Sequence, residues 1–118
     1  MPRRTEPDPF ALEIGQRVKQ LREEAGLTIE KLAYESDFGS KGHLSSLERG
    51  LVMPTVITLQ RLADRLGVLV ADLVTDPGGG DRERLLHLSR TAPVGTVKKM
   101  VKELNASMKA KKASGQRR

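Results

Sequence analysis

The chain has 118 residues, no cysteine and no tryptophan, which excludes a disulfide frame or a thiolate metal site and allows one domain with at most an appendage. No apolar run approaches the ~20 residues that a membrane span needs, and the opening MPRRTEPDPF has no apolar stretch behind its arginines, so the expectation is a soluble cytoplasmic protein without a signal peptide. The net charge of +6 is unevenly placed: residues 1–80 carry 10 Lys+Arg and 12 Asp+Glu, a net of −2, while residues 81–118 carry 11 and 3, a net of +8, so the positive field sits in the last third.

Residues 1–10 hold three prolines and mixed charges and read as a flexible arm. Arg3 and Arg4 are candidate contacts to a DNA backbone, with a plain disordered terminus as the alternative. A first helix is predicted over about 11–25. Ile14, Val18, Leu21 and Ala25 fall at helical spacing as its buried stripe, and Gly26 caps its end.

The next stretch, Thr28 to Gly50, reads as two short helices and a tight turn. The Thr28 hydroxyl can accept a hydrogen bond from a first-turn amide. Leu32 and Ala33 form that helix's inner face, and Asp37, Phe38 and Gly39 break the pattern. Ser40 then caps another helix, Leu44 and Leu47 face inward, and Gly50 stops it. Two helices joined so closely cross at a steep angle. That is the helix-turn-helix geometry, in which the second helix can enter a DNA major groove.

The following loop is Leu51-Val52-Met53-Pro54. Thr55 caps a fourth helix over about 56–66, with Leu59, Leu62, Ala63 and Leu66 inward, and a short fifth helix spans about 69–74 with Val70 and Leu73 inward. Ile57 and Leu69 stand where polar surface residues are expected. With the apolar loop 51–53 they predict an exposed patch that serves as a subunit interface or a docking place for the tail.

Residues 76–80 are a Gly-rich linker, and no Lys-Ser/Thr follows the glycines, so this is not a phosphate loop. Asp81 caps a helix to about Leu88. A turn through Ala92-Pro93 leads to a last helix ending near Ala110. On it Val97, Met100, Val101, Leu104 and Met108 recur at i, i+3, i+4, i+7 and i+11, with Lys98, Lys99, Lys102 and Lys109 around them. Such a narrow stripe is not stable alone in water. It must dock on its own domain, pair with a second subunit, or stay partly unfolded. The end, KKASGQRR, reads as disordered.

Residues 28–74 resemble the Cro/phage-repressor (XRE-type) helix-turn-helix family. The resemblance is carried by Leu27-Thr28, Leu32-Ala33, Leu44-Ser45, Leu47-Glu48-Arg49-Gly50, Pro54-Thr55, Leu59, Leu62-Ala63, Leu66-Gly67-Val68 and Leu73, and with the preceding helix it covers over half of the chain. It implies an all-α, five-helix lambda-repressor-like DNA-binding domain over 11–76, followed over 77–118 by the linker and the basic helical extension. It also implies a sequence-specific transcriptional regulator of double-stranded DNA, acting as a homodimer with its recognition helix at about 41–49 and two such helices about 34 Å apart. Carried over by position, Lys41, Gly42, His43 and Ser46 face bases, while Thr28, Ser40, Ser45 and Arg49 face phosphates. Arg22 pairs with Glu48. Ile57, Leu69, Val97, Val101, Leu104 and Met108 are the dimer or docking candidates.

The sequence departs from the family pattern at four places. The turn is one residue longer than usual, and Ile29 replaces a polar residue that often touches a phosphate. Gly42 sits inside the recognition helix, at a cost of about 1 kcal/mol relative to Ala. The loop 51–53 lacks the basic residues that often meet phosphates. The alternative function is an antitoxin or interaction adaptor on the same fold, with a protein partner held by the tail. An enzyme is not expected: there is no paired nucleophile and base, no nucleotide loop, and the two histidines are isolated. Neither a metal nor a cofactor is expected.

Overall fold

The computed structural model describes residues 5–115, which leaves Arg3 and Arg4 outside the described residues. Seven helices follow one another: α1 Pro9–Glu24, α2 Ile29–Glu35, α3 Lys41–Glu48, α4 Val56–Leu66, α5 Val70–Val74, α6 Asp81–Thr91 and α7 Val94–Ala113. No strand occurs among the described residues, and none of their helices is long and apolar enough to cross a membrane.

Local chemistry sets the helix ends. Asp8 Oδ2 accepts the amides of Phe10 at 3.1 Å and Ala11 at 3.0 Å, and Pro9 has no amide to satisfy in the first turn. The helix therefore starts at Pro9, two residues ahead of the expected Ala11. At its other end Ala25 is the exposed C-cap and not part of the buried stripe. Thr28, Ser40 and Thr55 each accept a first-turn amide, from Lys31 at 3.0 Å, His43 at 3.1 Å and Thr58 at 3.1 Å. Gly67 closes α4 in the left-handed region, φ 71°. The α6 helix runs three residues past the expected Leu88. Pro93 then forces extended backbone on Ala92, ψ 156°.

The core lies within α1–α5. Ile14, Val18 and Leu21 of α1 meet Leu32 and Ala33 of α2, Leu44 and Leu47 of α3, Leu59, Leu62 and Ala63 of α4, and Leu73 of α5. Full burial of each large aliphatic side chain contributes roughly 1.5–3 kcal/mol. Phe38, from the long turn, packs against the edge of this cluster.

One expectation about apolar surface is corrected. The loop 51–53 is not exposed: Val52 is buried and Leu51 and Met53 are half-buried. Gly50, at φ 75° and packed against the Leu12 backbone, turns the chain inward, and the Leu51 amide donates to the Ser46 carbonyl at 2.9 Å. Of the alternatives open to the stripe on α7, docking on its own domain is not the one seen. Ile57 and Leu69 stay 63% and 62% exposed, and α7 has no buried residue. The α6 helix is tied to the end of α1 by Arg90 and Glu24, 3.6 Å apart. The α7 helix projects, which accounts for principal extents of 55 × 29 × 22 Å.

Candidate nucleic-acid interface

The placement of α3 starts from a glycine in α1. A side chain at Gly15 would put its Cβ 2.3 Å from the Leu47 carbonyl oxygen and 2.6 Å from that of Glu48. Only a hydrogen fits there, so the last turn of α3 lies directly on the α1 backbone. Two turns further along α1, on the same face, stands Arg22. Its Nε donates to Glu48 Oε2 at 2.7 Å, Nη2 donates to Oε1 at 3.1 Å, and Nη1 donates to the Leu27 carbonyl at 2.8 Å. The two side chains are 10% and 5% exposed. The Glu48 hydrogen bond, chief among the causes, holds the Arg22 guanidinium above its ordinary pKa against the opposing effect of burial. A fork of this kind fixes orientation as well as distance, so α3 is held rigidly against α1.

The opposite side of α3 faces solvent. Lys41, Ser45 and Arg49 succeed one another at four-residue steps, which is one row on a helix, with Gly42 beside them. Lys41, Gly42 and Arg49 are exposed and Ser45 is half-buried. Lys41 Nζ lies 3.1 Å from Glu30 Oε1, both well exposed. Arg49 Nε donates to the Ser45 carbonyl at 3.4 Å. Nothing stands within 4 Å of a Cβ built on Gly42, so the backbone there is open to close approach. Thr28 and Ser40 are exposed caps whose oxygens each hold one amide.

One of the base-facing assignments changes. Ser46 is wholly buried, and its Oγ has no hydrogen-bond partner. It stands about 100° round the helix from Ser45, on the side away from Leu44 and Glu48, and its full burial leaves none of its atoms open to a base. His43 is exposed, but its ring sits 4.8 Å from that of Phe38, tilted by 33°. That contact does not take it off the exposed side of the helix.

Sequence reasoning did not find Arg17. It is buried, its Nε donates to the Asp72 carbonyl at 2.9 Å and its Nη1 to Gln20 Oε1 at 3.0 Å. Burial, followed by the charge of Arg90, pushes its pKa below the ordinary value, while Asp72, Glu24 and Asp76 pull it back. The residue ties α1 to α5. Its partner is a backbone carbonyl 55 residues away, and a carbonyl carries no signature in sequence. No group of three or more His, Asp or Glu able to hold a metal occurs among the described residues.

The profile described as a helix-turn-helix domain matches residues 13–75. The chain belongs to the helix-turn-helix family of phage-repressor type. It is similar to the HTH-type transcriptional regulator y4dJ of Sinorhizobium fredii, 52% identical over 62 residues, which are 52% of this chain and 79% of that protein. It is similar also to the immunity repressor protein of Bacillus phage phi105, 36% identical over 61 residues, 52% of this chain and 42% of that one. Among solved structures, the SinR protein/SinI protein complex contains a chain that superposes with a TM-score of 0.57 at 33% identity, covering 85% of this chain and 98% of that one. Similarity of that reach extends beyond the helix-turn-helix domain into α6 and α7.

Proposed function

We propose that this helix-turn-helix protein is a DNA-binding transcriptional regulator that reads sequence with the exposed row of α3 and binds as a homodimer. One observation carries the reading. Gly15 and the buried Arg22–Glu48 fork hold the inner side of α3, while its outer side offers Lys41, Gly42, Ser45 and Arg49 to a partner. A reading head needs that combination of rigid seat and free face. The names of its relatives, a transcriptional regulator and an immunity repressor, support the same class.

Lys41 near the helix start is placed to donate to guanine O6 and N7. Its ion pair with Glu30 is exposed, worth about 0–1 kcal/mol, and is given up readily for a base. Gly42 lets the backbone come close. Ser45, Arg49, Thr28 and Ser40 supply phosphate contacts, which fix register but carry no base information. Two copies present their α3 helices about 34 Å apart, one turn of the duplex. The body at 1–80 is net −2, so the basic tail supplies much of the electrostatic attraction. The protein works without catalysis or cofactor, and in the cytoplasm.

A second reading, a protein-interaction module such as an antitoxin or adaptor, is favoured by the exposed apolar side chains on α6 and α7. Selection of bound duplexes from a random pool by the full chain decides between the two. The regulator yields an inverted repeat whose half-sites lie one helical turn apart. A pool that stays unenriched at physiological salt contradicts it.

A further inference from the structure

We propose that the apolar groove between α6 and α7 is filled by α7 of a second copy of this chain, which makes this hairpin the dimerisation element. The inference rests on the homodimer reading above and names the surface that holds the two copies.

The groove, about 560 Å³ in volume, is lined on one wall by Leu85 and Leu88 and on the other by Val97, Met100, Val101 and Leu104. These side chains are about half exposed: Leu85 50%, Leu88 47%, Val101 51% and Leu104 53%. Met108, one turn beyond, is 69% exposed. The exposed apolar area is on the order of 500 Å² per copy, as large as the largest patch on an ordinary soluble monomer. Covered in two copies at once it reaches the roughly 1,000 Å² in total that a specific interface needs.

The occupant must be a helix with one apolar stripe, and α7 itself meets the demand in a particular register. Four of its five stripe residues are symmetric about the midpoint between Lys102 and Glu103, the exception being Met100, whose counterpart is Asn105. Val97 and Met108 lie equally far on either side of that point, as do Val101 and Leu104. Two antiparallel copies related by a two-fold axis there set Val97 against Met108 and Val101 against Leu104, twice over. An isologous contact requires this self-complementarity. Leu85 and Leu88 of α6 then close over the partner helix.

The same two-fold gathers like flanks on one side. Lys98, Lys102 and Lys109 follow each other at 100°, 140° and 120° around α7 from Val97, with Glu103 on the opposite flank, given ~100° per residue. Both lysine rows therefore share a face, and their repulsion is screened by salt. Self-association accordingly tightens as salt is raised. An acidic helix from another protein would be bound less tightly.

Sedimentation of the full chain and of two full-length variants tests the proposal. The expected result is a dimer for the native chain, at least tenfold weaker association for Leu104→Asp, and no change for Leu69→Asp. The native chain has no cysteine, so mixing Val101→Cys with Leu104→Cys adds a check that does not depend on the helix tolerating a charge. Disulfides form faster between unlike variants than between like ones. A full chain that is monomeric at micromolar concentration overturns this proposal together with the homodimer reading and leaves the groove to a different protein. A dimer that Leu69→Asp dissociates and Leu104→Asp does not, with no preference for the mixed disulfide, overturns this proposal alone.

Discussion

Replacing Arg22 by Ala removes three hydrogen bonds at once. Two end on the Glu48 carboxylate and one on the Leu27 carbonyl. The carboxylate side chain is 5% exposed, so water cannot replace the guanidinium without opening the contact between α1 and α3. Breaking a buried pair by removing one partner costs about 3–5 kcal/mol, because the remaining charge is left uncompensated. The lower end applies here, since the two side chains keep 10% and 5% of their surface exposed and are not fully enclosed. The expected loss is about 3 kcal/mol, a fall in Tm of roughly 12–24 °C for a domain of this size. Replacing both members by apolar residues of similar volume, Arg22→Met with Glu48→Leu, recovers most of it, because neither charge is then buried alone. Urea titration followed by circular dichroism measures both. A loss under ~0.5 kcal/mol for Arg22→Ala would refute the reasoning, since a pair worth so little behaves as a surface pair.

Gly15→Ala gains up to about 1 kcal/mol of helix propensity, yet the new methyl meets the Leu47 carbonyl at 2.3 Å and must push α3 away. A net loss of about 1–3 kcal/mol is expected by denaturation, with weaker DNA binding, and unchanged values in both would show that α3 is not seated on that backbone. Ser46→Ala removes a buried hydroxyl that has no partner, so it leaves stability unchanged or raises it by up to about 1 kcal/mol, and the base preference of the bound site stays as it was. A changed preference in a binding profile would return Ser46 to the reading face. Asp8→Ala deletes the cap of α1 and lowers stability by about 1 kcal/mol; no loss on thermal melting would leave the first turn held by other contacts.

The helices were legible in the sequence wherever a capping hydroxyl met a helical stripe, as at Thr28 with Leu32 and Ala33, or Thr55 with Leu59 and Leu62. The Arg22–Glu48 pair was legible only through resemblance, because the two residues are 26 apart and neither is unusual by itself. Ser46 was misplaced for a related reason. Position in a family pattern says which residue aligns, but the burial of a short side chain follows the local packing. The loop 51–53 was read as surface because its inward path depends on Gly50 meeting Leu12, a contact between distant segments. Asp8 was overlooked because three nearby prolines suggested disorder, although Pro9 suits the first turn of a helix. The stripe on α7 was visible at once. Whether it docked at home was a question of where the linker leads, and a Gly-rich linker encodes no direction.

The central claim is that α3 reads bases through Lys41 and holds the backbone through Arg49. Equilibrium binding of the full chain, Lys41→Ala and Arg49→Ala to the selected site and to each of its single-base variants tests it most directly, all at one salt concentration. Lys41→Ala is expected to cost about 1–3 kcal/mol on the best site and to flatten the preference at one base pair in each half-site. Arg49→Ala weakens every sequence by a similar factor and leaves the preferences intact. If Lys41→Ala lowers all sequences equally, or leaves all of them unchanged, the exposed row of α3 does not read sequence and the account fails.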